Sequence, residues 1–404
     1  MREFVERHFD AEVEFLKALV RVPSDNPPGD CAPHAERAAE LLEELGFRVE
    51  RHPVPEPFVR QNGMRSVTNL IVRHAFGRGA GPTVALNAHG DVVPPGGGWA
   101  MDPYGAVERG DAIYGRGVAV SKSDFATYAF ALKALIESGR PLDGTVELHF
   151  TYDEEAGGQI GPKYLLEQGL TRPNYAISAG FSYAVTTAHN GCLHMEVVVR
   201  GRQAHAAMPE TGADALEAAV PILSALYAER NRLGERTSAV PGIGSPKLTV
   251  GLISGGINTN VVPDRVAMRL DRRLIPEEDG EAVERDLHAL IHGAAPTPEG
   301  IEIECRRIML AEPLRAVEGT ARLVEVLAGH ASAVLDTEVR ATGAPLYTDA
   351  RHYAAAGIPT VLYGAGPRSI LEAHAHGADE RLRIPDLKAA TEIVALALAD
   401  LLAT

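Results

Sequence analysis

The first residues with chemical potential lie at 84–91. An apolar run, Val84-Ala85-Leu86, reads as a buried strand and ends in His89-Gly90-Asp91. Alternation along extended backbone puts His89 and Asp91 on one side. Such a pair can be a local hydrogen bond, or a metal ligand whose second ring nitrogen donates to the acid. The Pro/Gly turn at 94–98, then Trp99 and Tyr114-Gly115-Arg116-Gly117, favour the second reading. A second centre, Asp153-Glu154-Glu155-Ala156-Gly157-Gly158, follows the β-type run 146–152. Adjacent acids at a strand end point to opposite sides, so Glu154 and Glu155 can hold different jobs. One of them can ligate a metal while the other stays free to move a proton. Taken alone, the pair also reads as a solvated acidic turn. Near the end of the chain His374 and His376 alternate in a loop.

In their order these motifs resemble the M20 metallopeptidases, the family of acetylornithine deacetylase, succinyl-diaminopimelate desuccinylase, glutamate carboxypeptidase and aminoacylases. That family writes GHxDVVP, then Trp, then GRGxxD, then a glutamate pair, and the similarity covers nearly the whole chain. The resemblance implies that His89 is a metal ligand oriented by Asp91, that Glu154 is the general base and that Glu155 ligates. It implies a last ligand ahead of an (N/D)E pair, here Asp379-Glu380, which makes it His376, with His374 the competing choice.

Two positions depart from the family. The aspartate that closes GRGxxD is Val120 here, and the acid of a GEPT-like segment is Gly180. Three ligands therefore remain, His89, Glu155 and His376, a sufficient set with water for one catalytic zinc. The expectation is one divalent ion per chain rather than two, zinc first, with cobalt or manganese as the other choices. Asp124 lies one helical turn beyond Val120 and is either a replacement ligand or an acid favoured by the helix dipole.

Further motifs resemble the family's lid. Gly201-Arg202-Gln203-Ala204-His205 is similar to RGxxAH, whose histidine reaches across a dimer to stabilise the oxyanion; a plain cap is the other reading of His205. Asn260 matches the amide of GGxxxNVVPD and is expected near substrate. Arg273, in Asp271-Arg272-Arg273, is expected to pair with a substrate carboxylate or to make an ordinary salt bridge. Thr348-Asp349-Ala350-Arg351 resembles TDAR, a support for the site.

The elements that position these residues follow from periodicity. Helices are expected over 2–20, 33–45 and 125–138, and strands over 47–50, 67–72, 84–86 and 146–152, an α/β layer pattern. From about 190 the pattern changes to strand 193–200, helix 213–233, strands 247–252 and 266–274, helix 281–292 and strand 301–306. That β-α-β-β-α-β order is ferredoxin-like. The expected architecture is an α/β zinc-peptidase-like catalytic domain, 1–189 and 309–404, with an inserted α+β lid and dimerisation domain at 190–308.

A length of 404 residues suits two domains. The formal charge of −15 disfavours nucleic acid or anionic membrane as partners. No apolar stretch reaches a bilayer-spanning length and the N-terminus has no apolar signal core, so a cytoplasmic protein is expected. Its 3 cysteines suggest neither a disulfide framework nor a zinc knuckle.

The expected activity is metal-dependent hydrolysis of an amide in an N-acyl amino acid or small peptide-like substrate, in a homodimer, with Glu154 as general base. The alternative is a weakened homologue that binds amino-acid derivatives without hydrolysing them. No Gly-x-Ser-x-Gly elbow or placed cysteine supports a covalent route.

Overall fold

A computed structural model describes residues 1–295 and 299–404, which divide into two compact units. Met1–Thr187, Ala316–Thr342 and Thr348–Thr404 form the first; Ala188–Arg315 with Gly343–Tyr347 form the second.

The first unit is built on an 8-stranded sheet. Four strands at its centre, Gly144–Thr151, Thr83–His89, Tyr175–Ser178 and Thr360–Leu362, run parallel. Thr83–His89 is buried at every position after Thr83, so both sheet faces must be covered. On one face Val84, Leu86 and Ala88 join the main core with helix Lys122–Glu137. On the other, Ala85 packs with Ala176, Tyr353 and Ile358. Helix Lys122–Glu137 is apolar nearly all round and lies among helices Arg2–Val20 and Ile384–Leu401, as such a sequence requires. Its Phe125 stacks on Phe150, with ring centroids 3.9 Å apart.

Register then delivers the site. His89 pairs with Thr151 on the neighbouring parallel strand, so the chain leaves both strands side by side. The segments 89–91 and 153–155 thereby reach the same carboxyl edge of the sheet, where open α/β sheets bind their ligands.

The second unit runs Gly191–Arg200, Ala215–Leu233, Lys247–Gly255, Arg265–Leu274, Gly280–Ala294 and Glu302–Ala311. Its antiparallel sheet has the order Lys247–Gly255, Arg265–Leu274, Gly191–Arg200, Glu302–Ala311, the ferredoxin-like arrangement. Leu193, Met195, Val197 and Val199 turn toward the two helices and form its core.

Three local expectations change. The helix expected from 125 begins at Lys122, whose ammonium turns inward and donates to Leu19 O and Val22 O at 3.4 and 3.0 Å. The strand expected over 301–306 runs on to Ala311 through a register shift between Arg307 and Met309. A 3-stranded sheet of Arg381–Arg383, Ala112–Tyr114 and Val107–Arg109 had no periodic signal, since each strand is too short to show one. Among the described residues no helix is long and apolar enough to cross a membrane.

Candidate metal centre

His89 ends its strand with the imidazole fixed. Its Nδ1 donates to the Asp91 backbone carbonyl at 3.0 Å and lies 3.4 Å from Asp91 Oδ1. Its backbone is clamped by Ser121, whose Oγ accepts from His89 N at 3.0 Å and donates to His89 O at 2.9 Å. The Asp91 carboxylate does more than face the ring. It accepts from the backbone N–H groups of Glu154 at 3.2 Å and Glu155 at 3.1 Å, and from Asn26 Nδ2 at 3.0 Å. Asp91 is fully buried, so those three donors have no water to replace it.

The glutamates do not sit on strand geometry. They form a short 3₁₀ turn, Glu154–Ala156, closed by Gly157 at φ 102°. Strand alternation therefore does not apply, and both carboxylates face His89: one ligand atom from each of His89, Glu154 and Glu155 lies within 4.8 Å of the others. His89 Nε2 is 3.9 Å from Glu154 Oε2. His376 Nε2 reaches Glu155 Oε1 at 3.1 Å, whereas His374 Nδ1 is turned to Ala378 O at 3.2 Å. The C-terminal histidine beside the cluster is thus His376.

The surrounding loops are tied by Glu380. Its buried carboxylate accepts from Arg116 Nη1 at 2.6 Å, Ala119 N at 3.0 Å and Val120 N at 3.2 Å. The Arg116 guanidinium also lies 5.2 Å from the Trp99 ring centroid. Arg351 donates to Thr348 O at 2.7 Å and to Gly157 O, bracing the glutamate turn. Sequence reasoning marked Arg351 as support and missed the anchoring roles of Asn26, Ser121 and Glu380. Only the (N/D)E pattern pointed toward Glu380.

The departures are structural as well as chemical. A Cβ on Gly180 would meet Leu362 Cβ at 2.7 Å and the Tyr363 backbone nitrogen at 2.8 Å, so that position is closed to an acid. Asp124 is not among the ligand atoms gathered with His89, Glu154 and Glu155. It is buried against the backbone of Gly364 and accepts from Ala365 N at 2.7 Å.

In the second unit, His205 lies on an exposed loop and its Nδ1 accepts from Ala207 N at 3.0 Å. His205 bridges Val261, and the Asn260 carbonyl accepts from Ala206 N at 3.0 Å, so both candidates belong to one loop pair. The Arg273 guanidinium donates to Asp271 through Nε at 2.9 Å and Nη2 at 3.1 Å.

Charge decides whether the cluster suits a cation. Burial pushes the Glu154 carboxyl up to about 8, with Glu155 and Asp91 adding to the rise. Burial and then Glu154 push Asp349 up to about 7, and burial with Asp349 drives Asp153 well above the carboxylate range. Burial opposes charge on His89, yet Glu154, Asp91 and Glu155 together hold its pKa well above the usual value. Crowded carboxylates with too little positive charge are what a divalent cation would relieve. Imidazole nitrogen and carboxylate oxygen are also the donors that zinc and its borderline relatives accept. The residues present fit the group.

A parallel-centred sheet bearing this His/Glu cluster at its carboxyl edge is the frame of a metal-dependent hydrolase. The chain belongs to Peptidase family M20/M25/M40, which it matches over residues 85–400. It is a hydrolase of that family, whose members bind divalent metals. A succinyl-diaminopimelate desuccinylase of Gluconacetobacter diazotrophicus is 30% identical over 387 residues, covering 93% of each chain. A metallo-carboxypeptidase of the family from Sulfolobus solfataricus has the same fold, with a TM-score of 0.75 at 20% identity over 96% of this chain and 98% of that one. A Bacillus subtilis protein described as a dinuclear metal-binding peptidase shares it at 0.68 and 19% identity, over 98% and 99% of the two chains.

Proposed function

We propose that the protein hydrolyses the amide bond of an N-acyl amino acid or small peptide, with Glu154 as general base and one divalent ion, zinc first, held by His89, Glu155 and His376. The observation that carries this is the division of labour in the glutamate turn. Glu155 is committed to His376 at 3.1 Å, while the Glu154 side chain accepts no hydrogen bond among the described residues. Glu154 is therefore the carboxylate left to take a proton from water and return it to the leaving nitrogen. When bound, the metal would supply Lewis acidity toward the carbonyl and lower the pKa of water. Asp91 fixes His89 and both glutamate amides.

The first unit is proposed as the catalytic domain and the second as a lid through which the chain forms a homodimer. Supporting this, the edge strand Lys247–Gly255 exposes Leu252 and Ile253, and helix Ala215–Leu233 exposes Leu216, Val220 and Tyr227. An apolar open edge is a surface that proteins normally cover. His205, Asn260 and Arg273 are proposed as substrate contacts, His205 from the second subunit.

The relative named as a desuccinylase makes N-succinyl and other N-acyl amino acids the first panel, with dipeptides beside them. Glu154→Gln should keep its metal and lose about 10²- to 10⁴-fold in kcat. Full activity in that variant would overturn the assignment. Val120 and Gly180 favour one other reading, a non-hydrolysing binder, for which tight substrate binding without turnover in the metal-loaded wild type would speak.

A further inference from the structure

We propose that the second unit carries a divalent-metal site of its own, formed by His288, His292 and Cys305. One ligand atom from each of the three lies within 4.8 Å of the others. His288 and His292 stand one turn apart on helix Gly280–Ala294, so their rings share a face. Their centroids are 6.3 Å apart at an interplanar angle of 37°. Cys305 belongs to Glu302–Ala311, an edge strand of the sheet, at a position that alternates with exposed Glu304 and Arg306 and packs against the unit's core. The thiol thus meets the histidines where the helix crosses the edge strand. Both elements are regular, which holds ligands more closely in place than loops do.

The three side chains are not spent on other partners. None makes a hydrogen bond among the described residues, and His288 Nε2 lies 3.8 Å from Glu284 Oε1, one turn earlier on the same helix. The Glu284 carboxylate is itself ion-paired with Arg307. Ligands around a tetrahedral zinc stand about 3.4–3.8 Å from one another, given metal–ligand bonds of roughly 2.0–2.3 Å. Rotamer-scale closure from the observed spacing reaches that geometry, with solvent completing the fourth position.

The donor set selects the ion. One thiolate with two imidazoles suits zinc or cobalt and does not suit magnesium or calcium. Burial, with Glu304 adding, pushes the free Cys305 thiol up to about 11, so the metal-free group holds its proton. On binding, the S–H bond breaks, a sulfur–metal bond forms and the proton passes to solvent, while the imidazoles bind as neutral donors. The consequence is a staple between helix and edge strand, separate from the hydrolytic cluster and independent of its assignment.

A second group, Cys192, His194 and Asp271, also gathers its ligand atoms within 4.8 Å. It is a poorer host. Arg273 holds Asp271 through two bonds and His194 holds it through a third of 3.1 Å, so a fixed positive charge already occupies that carboxylate.

The test is titration of the full-length, metal-stripped protein with Co²⁺, read by the near-ultraviolet thiolate-to-cobalt charge-transfer band. The hydrolytic cluster has no thiolate and is silent in that band. The band should appear in wild type and in Cys192→Ser, vanish in Cys305→Ser, and need at least about tenfold more Co²⁺ in His292→Ala. His292 is exposed, and unchanged circular dichroism would confirm that its variant folds. Absence of the band in wild type, its persistence in Cys305→Ser, or its loss in Cys192→Ser would each overturn the site.

Discussion

Replacing Asp91 by alanine should damage the site through its scaffold. The carboxylate is fully buried and holds Glu154 N, Glu155 N and Asn26 Nδ2 at 3.2, 3.1 and 3.0 Å. Each buried donor left without an acceptor costs about 1–2 kcal/mol, so Asp91→Ala should lose roughly 3–6 kcal/mol of stability. The two amides belong to the turn that aims both glutamates, and His89 Nδ1 lies 3.4 Å from the same carboxylate. Loss of such a support typically weakens metal binding by about 10- to 100-fold. Asp91→Asn keeps the volume and one acceptor oxygen and should fall between wild type and alanine on both scales. Urea denaturation of the metal-free proteins reads the first quantity, and competition with a chelator reads the second. If Asp91→Ala loses under about 1 kcal/mol and holds metal as wild type does, Asp91 is not the anchor of the turn.

Glu12 offers a test of buried charge away from the site. Its carboxyl accepts from Thr391 Oγ1 at 2.5 Å, and burial, opposed by that bond, pushes its pKa up to about 8 from 4.5. A raised carboxyl favours the fold while protonated, so its contribution is fully present below the unfolded value and declines as pH rises toward about 8. The gap is worth roughly 5 kcal/mol, and Glu12→Gln should remove the decline. Its advantage over wild type should be small near about pH 5 and grow to several kcal/mol near about pH 8.5; parallel stabilities by urea denaturation at the two pH values would contradict this. Gly180→Ala should cost about 1–3 kcal/mol, because its methyl meets Leu362 and the Tyr363 nitrogen at 2.7 and 2.8 Å. An unchanged melting temperature would show that the position is open to a side chain.

Long periodic elements were legible in the chain because their own residues carry the pattern. Leu193, Met195, Val197 and Val199 alternate onto one face, and that face is the core of the second unit. His89 and the glutamate pair were legible because each follows an apolar strand, and parallel pairing brings the strand ends together. The aim of the glutamates was not, since a 3₁₀ turn replaces the strand geometry that alternation assumes. Nor was the anchoring of the site. Arg116 and Glu380 meet across 264 residues, and no local pattern records such a pairing. Asp124 shows the same limit: helical spacing placed it near Val120, but burial against Gly364 and Ala365 decided what its carboxylate does.

The most direct test is the metal content of protein purified without added metal, measured by inductively coupled plasma mass spectrometry beside Glu155→Ala and His376→Ala. With the second unit's proposed site removed by Cys305→Ser in all three proteins, the mononuclear hydrolase proposed here predicts one tightly held divalent ion per chain when the His89 cluster is intact and its loss from both variants. In that background, two ions per chain, or an ion at the His89 cluster that survives both substitutions, would contradict it.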